Sequence, residues 1–224
     1  MTPAAALFSY YDVLLLLEGF LTTFALAVIG CLGGFVFGFA AAILRTTRSR
    51  AMAPVRAALS VYGMLLRRVP FLVTLMLVFF ATQSMHANLP AFAVASISIC
   101  LIAAAYLSEI ARGGLESVHA NQWQAARALN FSHWQTLRYV IVPQAWRVIL
   151  PPTFGFLGLM IKDTALASQI GVMELTSAGK VLGNKAVPAG LVYGAILMLY
   201  FAMSYPVARF GKRVERRFGA ARHH

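Results

Sequence analysis

The chain has 224 residues, of which 60% are hydrophobic and only 12% are charged, and its mean hydropathy is +0.74. This apolar fraction leaves too little polar surface for a soluble globular domain, so the composition indicates a membrane protein. The net charge of +12 then indicates membrane topology and contact with lipid headgroups, not nucleic-acid binding. Because Cys31 and Cys100 both lie inside apolar runs, a disulfide framework and a cysteine-rich metal site are excluded.

Five stretches are apolar enough to cross a bilayer, whose core requires about 20 helical residues. They cover residues 20–44, 59–81, 89–108, 148–161 and 189–208. Arg67 and Arg68 interrupt the second stretch near its start, and the fourth is short for a full crossing. Nothing before residue 20 has the pattern of a cleavable signal, so we expect the first span to be retained.

The distribution of basic residues predicts that the N-terminus lies outside the cell and the C-terminus inside. In this orientation all of the 19 Lys and Arg residues except Lys162, Lys180 and Lys185 face the cytoplasm. Residues 1–224 are then one transmembrane domain, with 112–147 as a cytoplasmic loop and 209–224 as a basic cytoplasmic tail.

The first and third spans carry small residues at every fourth position. These are Gly30, Gly34 and Gly38 in the first span and Ser96, Cys100, Ala104 and Ser108 in the third. Small residues at this spacing let helix backbones approach closely in a membrane. Each stripe therefore predicts a helix–helix contact, either within one subunit or between two.

The cytoplasmic loop is predicted to form two short helices. Two helix starts of the capping-box type occur in it, Asn121 with Gln124 and Ser132 with Gln135. Asn130 tolerates the left-handed backbone that ends a helix, and Pro143 is expected to stop the second helix because it has no N–H. The first helix offers small side chains beside an apolar anchor, which favours docking of another protein; an amphipathic helix on the headgroups is the alternative.

The run Gln124-Ala125-Ala126, with Asn130 six residues after Gln124 and Pro143 thirteen residues after Asn130, carries a resemblance. It resembles the EAA loop of permease subunits in binding-protein-dependent ABC importers, whose pattern is Glu-Ala-Ala, then Gly, then Pro at this spacing. Gln124 stands where that family has Glu, and Asn130 stands where it has Gly. Segments 66–72, 105–114, 143–145 and 162–166 are similar to the histidine/glutamine/arginine/opine branch, which transports polar amino acids.

The resemblance implies an all-α type I ABC importer permease fold in a bacterial inner membrane. Its implied partners are ABC ATPase subunits, a second permease subunit of the same or a homologous chain, an extracytoplasmic substrate-binding protein and an amino-acid substrate. The chain has no G-x-x-x-x-G-K-[ST] motif, so we expect no catalysis or cofactor in it, with ATP and Mg²⁺ on the ATPase. The residues implied to couple to the ATPase are Trp123, Gln124, Ala125, Ala126, Asn130 and Pro143.

Charged residues at membrane depth are candidate functional residues because they are costly to bury there. Lys162, Asp163 and Thr164 follow the short fourth span and indicate a broken helix, which would offer a zwitterion both a cation and an anion. The alternative is a Lys–Asp pair that neutralises itself at the outer interface. Glu109 and Arg112 lie three residues apart near the inner membrane edge, so we predict a structural ion pair there rather than a gate.

A self-contained secondary transporter or channel for small polar solutes is the alternative function. It would need a coupling-ion site of its own. The chain has only seven acidic residues, of which Glu109 and Asp163 alone lie near membrane depth. This scarcity of acids disfavours the alternative.

Overall fold

The computed structural model describes residues 8–47, 49–185 and 187–219, and the regular structure in these ranges is entirely helical. Short 3-10 turns occur at Arg50–Met52 and Thr164–Ile170, and a π-helical turn at Thr136–Ile141. The α-helices are α1 (Tyr10–Thr46), α2 (Ala53–Arg68), α3 (Phe71–Ser84), α4 (Ala91–Glu116), α5 (Ala120–Ala128), α6 (His133–Gln135), α7 (Val142–Asp163), α8 (Leu175–Gly183) and α9 (Ala189–Gly219).

Four helical runs among the described residues are long and apolar enough to cross a membrane, and a fifth is counted if α2 and α3 form one broken span. This confirms the predicted all-α polytopic architecture with about five spans. The helices extend well beyond the predicted apolar stretches. Helix α1 has 37 residues because it begins at Tyr10, ten residues before the predicted stretch, and α9 has 31 because it continues through the basic residues after Ala208.

The prediction of one continuous second span is wrong. Helix α2 ends at Arg68 and α3 begins at Phe71, so the helix is interrupted inside the predicted stretch 59–81. Val69 has an extended backbone, with φ −94° and ψ 134°. The cause is Pro70, because a proline ring disfavours the helical conformation of the residue before it.

The two predicted helix starts in the cytoplasmic loop have different outcomes. Ser132 and Gln135 form the predicted capping box. Helix α5, however, begins at Ala120 and is capped by His119, whose Nδ1 accepts the Asn121 N–H at 3.3 Å, so the cap expected at Asn121 is wrong. Asn130 has φ +57° and ends the first helix as predicted.

Pro143 does not stop the second helix, contrary to the prediction. It lies in the first turn of α7, which continues to Asp163 and therefore exceeds the predicted span 148–161. The π-helical turn just before it explains this, since the Val142 N–H bonds the Leu137 carbonyl, five residues back. In an α-helix a proline clashes with the carbonyl four residues earlier, and the wider π turn relieves that clash.

The chain divides into two compact units. The first comprises the described parts of Met1–Cys31, Pro70–Cys100 and Leu157–Val207, and the second Leu32–Val69, Leu101–Phe156 and the described part of Ala208–His224. The first unit has a core in which Leu175 and Leu182 of α8 pack with Val192 of α9. In the core of the second unit, Ala42 and Leu115 pack with residues of the π turn and of α7.

The glycine stripe of α1 packs against α4 within the chain. A methyl group added to Gly30 would meet Ile99, and one added to Gly34 would meet Ala103. A methyl group on Gly38 would lie 2.9 Å from both the Ala104 carbonyl oxygen and the Ser108 nitrogen. The stripe therefore makes a contact within one subunit, the first of the two alternatives stated above.

Candidate functional site

Helix α5 carries the residues that the resemblance implies for coupling, and the structure distributes them over different faces. Gln124 and Ala125 are exposed, whereas Trp123 is half-buried. Ala126 is only 2% exposed, so its methyl group packs against the chain itself. The outward face of α5, which carries Gln124 and Ala125, is therefore the one available to a partner, and Ala126 lies on the buried side of the helix.

Helix α5 is held firmly against the π-helical turn that leads into α7. The two elements pack directly on each other. Trp123 stacks on His133 with 6.1 Å between ring centroids, and the Gln144 amide nitrogen of α7 donates to the Gln122 side-chain oxygen at 3.3 Å. At the turn after α5, the Phe131 N–H bonds the Ala126 carbonyl at 3.0 Å. These contacts join α5 to the π turn and to the start of α7.

Asn130 and Pro143 lie at the two ends of this connection, and both side chains are exposed. Asn130 supplies the left-handed residue between α5 and the next helix. Pro143 follows the π turn at the start of α7. Their geometry thus shapes the coupling loop, while their contact with an ATPase stays a prediction.

Glu109 is the centre of an ion-pair cluster in the second unit. Its side chain is 23% exposed and pairs with Arg112, as the spacing predicts, through an Nε to Oε1 hydrogen bond of 3.0 Å. Two further arginines, which sequence reasoning missed, reach the same carboxylate: Arg45 Nη1 and Arg67 Nη2 each lie 3.2 Å from Oε2. Arg67 lies inside an apolar stretch, where charged side chains are usually paired. Its position in the sequence therefore indicated that it has an acidic partner.

The Glu109 cluster connects three helices, because Arg45 lies in the last turn of α1, Arg67 lies in the last turn of α2, and Glu109 and Arg112 lie in α4. Arg112 also pairs with Glu116. One carboxylate facing three guanidinium groups leaves an excess of positive charge. The carboxylate is therefore needed to keep the arginines from repelling one another.

At the predicted helix break, the α-helical geometry of α7 ends at Asp163 and the chain continues as the 3-10 turn Thr164–Ile170. The helical run ends only at Gly171, which has φ +86°. Thr164 is fully buried, and its hydroxyl donates to the Ile161 carbonyl at 2.6 Å. The predicted positions therefore mark a change of helix type, and the helix itself ends seven residues later than predicted.

Lys162 and Asp163 do not form the self-neutralising pair that was the alternative interpretation. Lys162 is exposed and Asp163 is half-buried. Within residues 8–47, 49–185 and 187–219, the Asp163 carboxylate has no ion-pair partner and accepts no hydrogen bond. A half-buried carboxylate without a partner can accept a cationic group from outside the chain.

A further polar group lies on α3, which packs against the 3-10 turn. The Thr74 side chain is 3% exposed, and its hydroxyl is buried without a hydrogen-bond partner among the described residues. Sequence reasoning missed Thr74, because a threonine within an apolar helix usually bonds its own backbone and carries no distinguishing pattern.

Glu174 anchors α8 in the first unit. Its carboxylate is fully buried and accepts the N–H groups of Thr176 at 2.9 Å and Ser177 at 2.7 Å, together with the Tyr200 hydroxyl at 2.9 Å. Burial raises the pKa of Glu174 because it penalises the charged form, and this outweighs the hydrogen bonds that favour that form. Sequence reasoning missed this cluster, since a helix cap formed by a residue of the preceding turn leaves no distinctive spacing.

Comparison with known proteins places these features in a family context. The model of the family described as binding-protein-dependent transport system inner membrane component matches residues 34–219. The glutamine transport system permease protein GlnP of Escherichia coli K12 is 34% identical over 205 residues, which are 91% of this chain and 92% of GlnP. The L-cystine transport system permease protein TcyB of Bacillus subtilis is 33% identical over 200 residues, 89% of this chain and 84% of TcyB.

Solved structures are similar over nearly the whole chain. A chain from the crystal structure of an amino acid ABC transporter with histidines has a TM-score of 0.80 and 27% identity, covering 94% of this chain and 99% of its own. A chain of the inward-facing MetNI methionine ABC transporter also has a TM-score of 0.80, at 22% identity, with the same two coverages. At that identity the second likeness concerns the fold alone.

Proposed function

The chain belongs to the binding-protein-dependent transport system inner membrane components, and we propose that it carries a polar amino acid across the membrane and couples that step to ATP hydrolysis elsewhere. It is a multi-pass permease subunit of an ABC transporter in the inner membrane. The observation that carries the proposal is helix α5, which packs on the π turn before α7 and keeps Gln124 and Ala125 exposed, in a chain that the family model matches over residues 34–219.

The family requires an ATPase and a substrate-binding protein as partners. We infer that a second permease subunit, identical or homologous, completes the transmembrane pair. ATP and Mg²⁺ bind the ATPase, and this chain performs no catalysis of its own. Family membership also favours this function over the self-contained secondary transporter or channel, since the relatives named above are permeases of multi-component transport systems.

The outward face of α5 is the docking surface for the ATPase in this proposal. Gln124 and Ala125 are exposed there, and small side chains let a partner approach the helix backbone. Closure of the ATPase pair would push α5, and its contacts with the π turn pass that movement to α7. Gln124 docks as a neutral amide, so its contact is a hydrogen bond and not a salt bridge.

The substrate path runs past the helix break. Asp163 would hold the ammonium group of the amino acid, since its half-buried carboxylate lacks a partner among the described residues. Lys162 would attract the substrate carboxylate, and Thr164 closes the break through its own backbone bond. The buried hydroxyl of Thr74 adds a polar group on the helix packed against this turn. Polar amino acids are the substrate class because the relatives are named for glutamine and L-cystine.

The experiment reconstitutes the permease with its ATPase and binding protein in liposomes and measures uptake of labelled glutamine and cystine together with ATP hydrolysis. Ala125→Trp should abolish co-purification of the ATPase, because a bulky ring stands on the exposed docking face. Ala87→Trp is the matched control, an exposed alanine in the loop between α3 and α4, and it should leave the complex intact. A chain that transports without any ATPase would contradict the proposal.

Asp163→Asn separates the substrate path from coupling. The amide keeps the size of the side chain but cannot hold an ammonium group as an ion pair. Uptake should fall at least about tenfold, the equivalent of one lost charge-assisted hydrogen bond, while the ATPase still co-purifies. Unchanged uptake would remove Asp163 from the path and leave the ATPase coupling untouched.

A further inference from the structure

A cavity of about 1110 Å³ lies in the second unit, behind the coupling helix. Its walls are formed by the end of α1, the start of α2, the end of α4 and one face of α5. This face of α5 overlaps the outward face proposed to dock the ATPase only at Gln124, because Trp123 and Arg127 line the cavity whereas Ala125 does not. A cavity of this size accommodates a ligand comparable to a lipid headgroup.

The cavity walls carry an excess of positive charge. Arg45, Arg56 and Arg127 line it, against the single carboxylate of Glu116. That carboxylate is already paired with Arg112, and Arg45 is paired with Glu109. Arg56 and Arg127 have no acidic partner among the residues that the structure describes. Two arginine charges therefore remain to be balanced by something outside the chain.

The two uncompensated arginines differ in how they are held. The Nη1 atom of Arg56 donates to the Thr47 carbonyl at 2.8 Å and to the Ser49 carbonyl at 2.6 Å, which fixes the guanidinium group in the cavity wall. Its Nη2 and Nε groups make no hydrogen bond within the described part of the chain. Arg127 is exposed and can turn toward a ligand. A fixed and a movable guanidinium group together suit a phosphate, which accepts hydrogen bonds on several oxygens.

The other lining residues include both polar and apolar side chains, and the apolar ones form one part of the wall. Leu115 is fully buried at its wall, and the half-buried Trp123 and the exposed Phe131 supply aromatic surface. Arg45 lies in the last turn of α1 and Leu115 in the last turn of α4, and both helices are long and apolar enough to span the membrane. The cavity thus lies at the cytoplasmic ends of two spanning helices, on the side of the membrane where basic pockets bind acidic headgroups.

We propose that this cavity binds the phosphate headgroup of an anionic phospholipid. The phosphate lies between Arg56 and Arg127, and the glycerol region packs against Trp123 and Leu115. Gln124 also lines the cavity, and its neutral amide can donate a hydrogen bond to the phosphate where a carboxylate would repel it. Basic pockets between membrane helices on the cytoplasmic side are of the kind that bind acidic lipid headgroups.

The test counts lipids retained by the purified permease–ATPase complex in neutral detergent, using native mass spectrometry with added dioleoyl phosphatidylglycerol. Arg127→Ala should weaken retention about fivefold, the effect of one basic residue beside an anionic headgroup. Arg138→Ala is the matched control, an exposed arginine of the same loop that lies over the Tyr139 ring outside the cavity, and it should retain the wild-type amount.

Three results would overturn the proposal. Equal losses in Arg127→Ala and Arg138→Ala would mean that lipid follows the general basic charge of the loop. Full displacement of phosphatidylglycerol by millimolar inorganic phosphate would assign the cavity to a soluble anion. Retention by the permease alone, but not by the complex, would assign the cavity to an acidic segment of the ATPase.

Discussion

The contact between α1 and α4 gives the sharpest prediction, because alanine at one glycine is expected to lower stability, whereas alanine at another is expected to leave it equal or raised. We consider Gly38→Ala, which adds one methyl group on α1. That group would lie 2.9 Å from the Ala104 carbonyl oxygen and 2.9 Å from the Ser108 nitrogen. Both are backbone atoms of α4, which cannot move aside by a rotamer change. The two helices must therefore separate to admit the methyl group.

The magnitude follows from two opposing effects. Overpacking of this kind costs about 1–3 kcal/mol. Replacing a helical glycine with alanine by itself stabilises a helix by about 1 kcal/mol. Gly194→Ala is the matched control, since a methyl group there meets nothing within 4 Å and only the helix preference acts. We expect Gly194→Ala to leave stability equal or raised and Gly38→Ala to lower it.

The assay is thermal unfolding of the purified chain in detergent, followed by fluorescence-detected size-exclusion chromatography. One kcal/mol shifts the midpoint of a domain of this size by about 2–4 °C, so the two variants should differ by several degrees. Equal midpoints for Gly38→Ala and Gly194→Ala would refute the close approach of α1 and α4. A stabilised Gly38→Ala would refute it more directly, because a methyl group can stabilise only where there is room for it.

Three further substitutions test other contacts. Glu109→Gln should lower the free energy of unfolding by about 1–3 kcal/mol, because three arginines lose their common carboxylate. The control Glu215→Gln removes an exposed carboxylate and should change the unfolding midpoint little in the same thermal assay. Glu174→Gln should flatten the pH dependence of stability. Because the pKa of the folded carboxyl is raised, wild-type stability should fall as the pH rises from 4.5, the ordinary pKa of a glutamate, through the raised pKa of Glu174. A variant that keeps this fall would contradict the assignment to Glu174. Asn130→Gly should keep ATPase co-purification, whereas Asn130→Ala should weaken it, because an alanine at φ +57° costs about 1–2 kcal/mol. Equal co-purification by the two variants would show that this turn does not require a left-handed residue.

Hydropathy and charge were sufficient to predict the spans, because the bilayer imposes helix formation wherever the chain is apolar. They were insufficient at the prolines. Pro70 breaks the second span, whereas Pro143 lies within a continuous helical run. The difference lies in the preceding turn: Val69 is extended, but Val142 follows a π turn whose carbonyls are displaced. Single-residue preferences do not specify a π turn, so the sequence alone could not distinguish the two cases.

The coupling helix shows a second limit of sequence patterns. Ala125 and Ala126 are adjacent and chemically identical, and the motif treats them as a pair. The structure separates them, because Ala126 is 2% exposed and packs on the chain while Ala125 faces outward. Which of two neighbouring alanines faces inward depends on where the π turn packs, a contact distant in sequence. A bulky residue at Ala126 would therefore disrupt the loop itself, so Ala125 is the informative position for testing docking.

The rigid attachment of α5 has a consequence for how coupling works. A helix on a flexible linker could dock an ATPase without transmitting any force, since the linker would absorb the movement. Here the Gln144 side chain of α7 donates to Gln122 of α5, and α5 packs directly on the π turn that precedes α7. Movement of α5 should therefore reach the π turn and the start of α7, which belong to the same unit as α5.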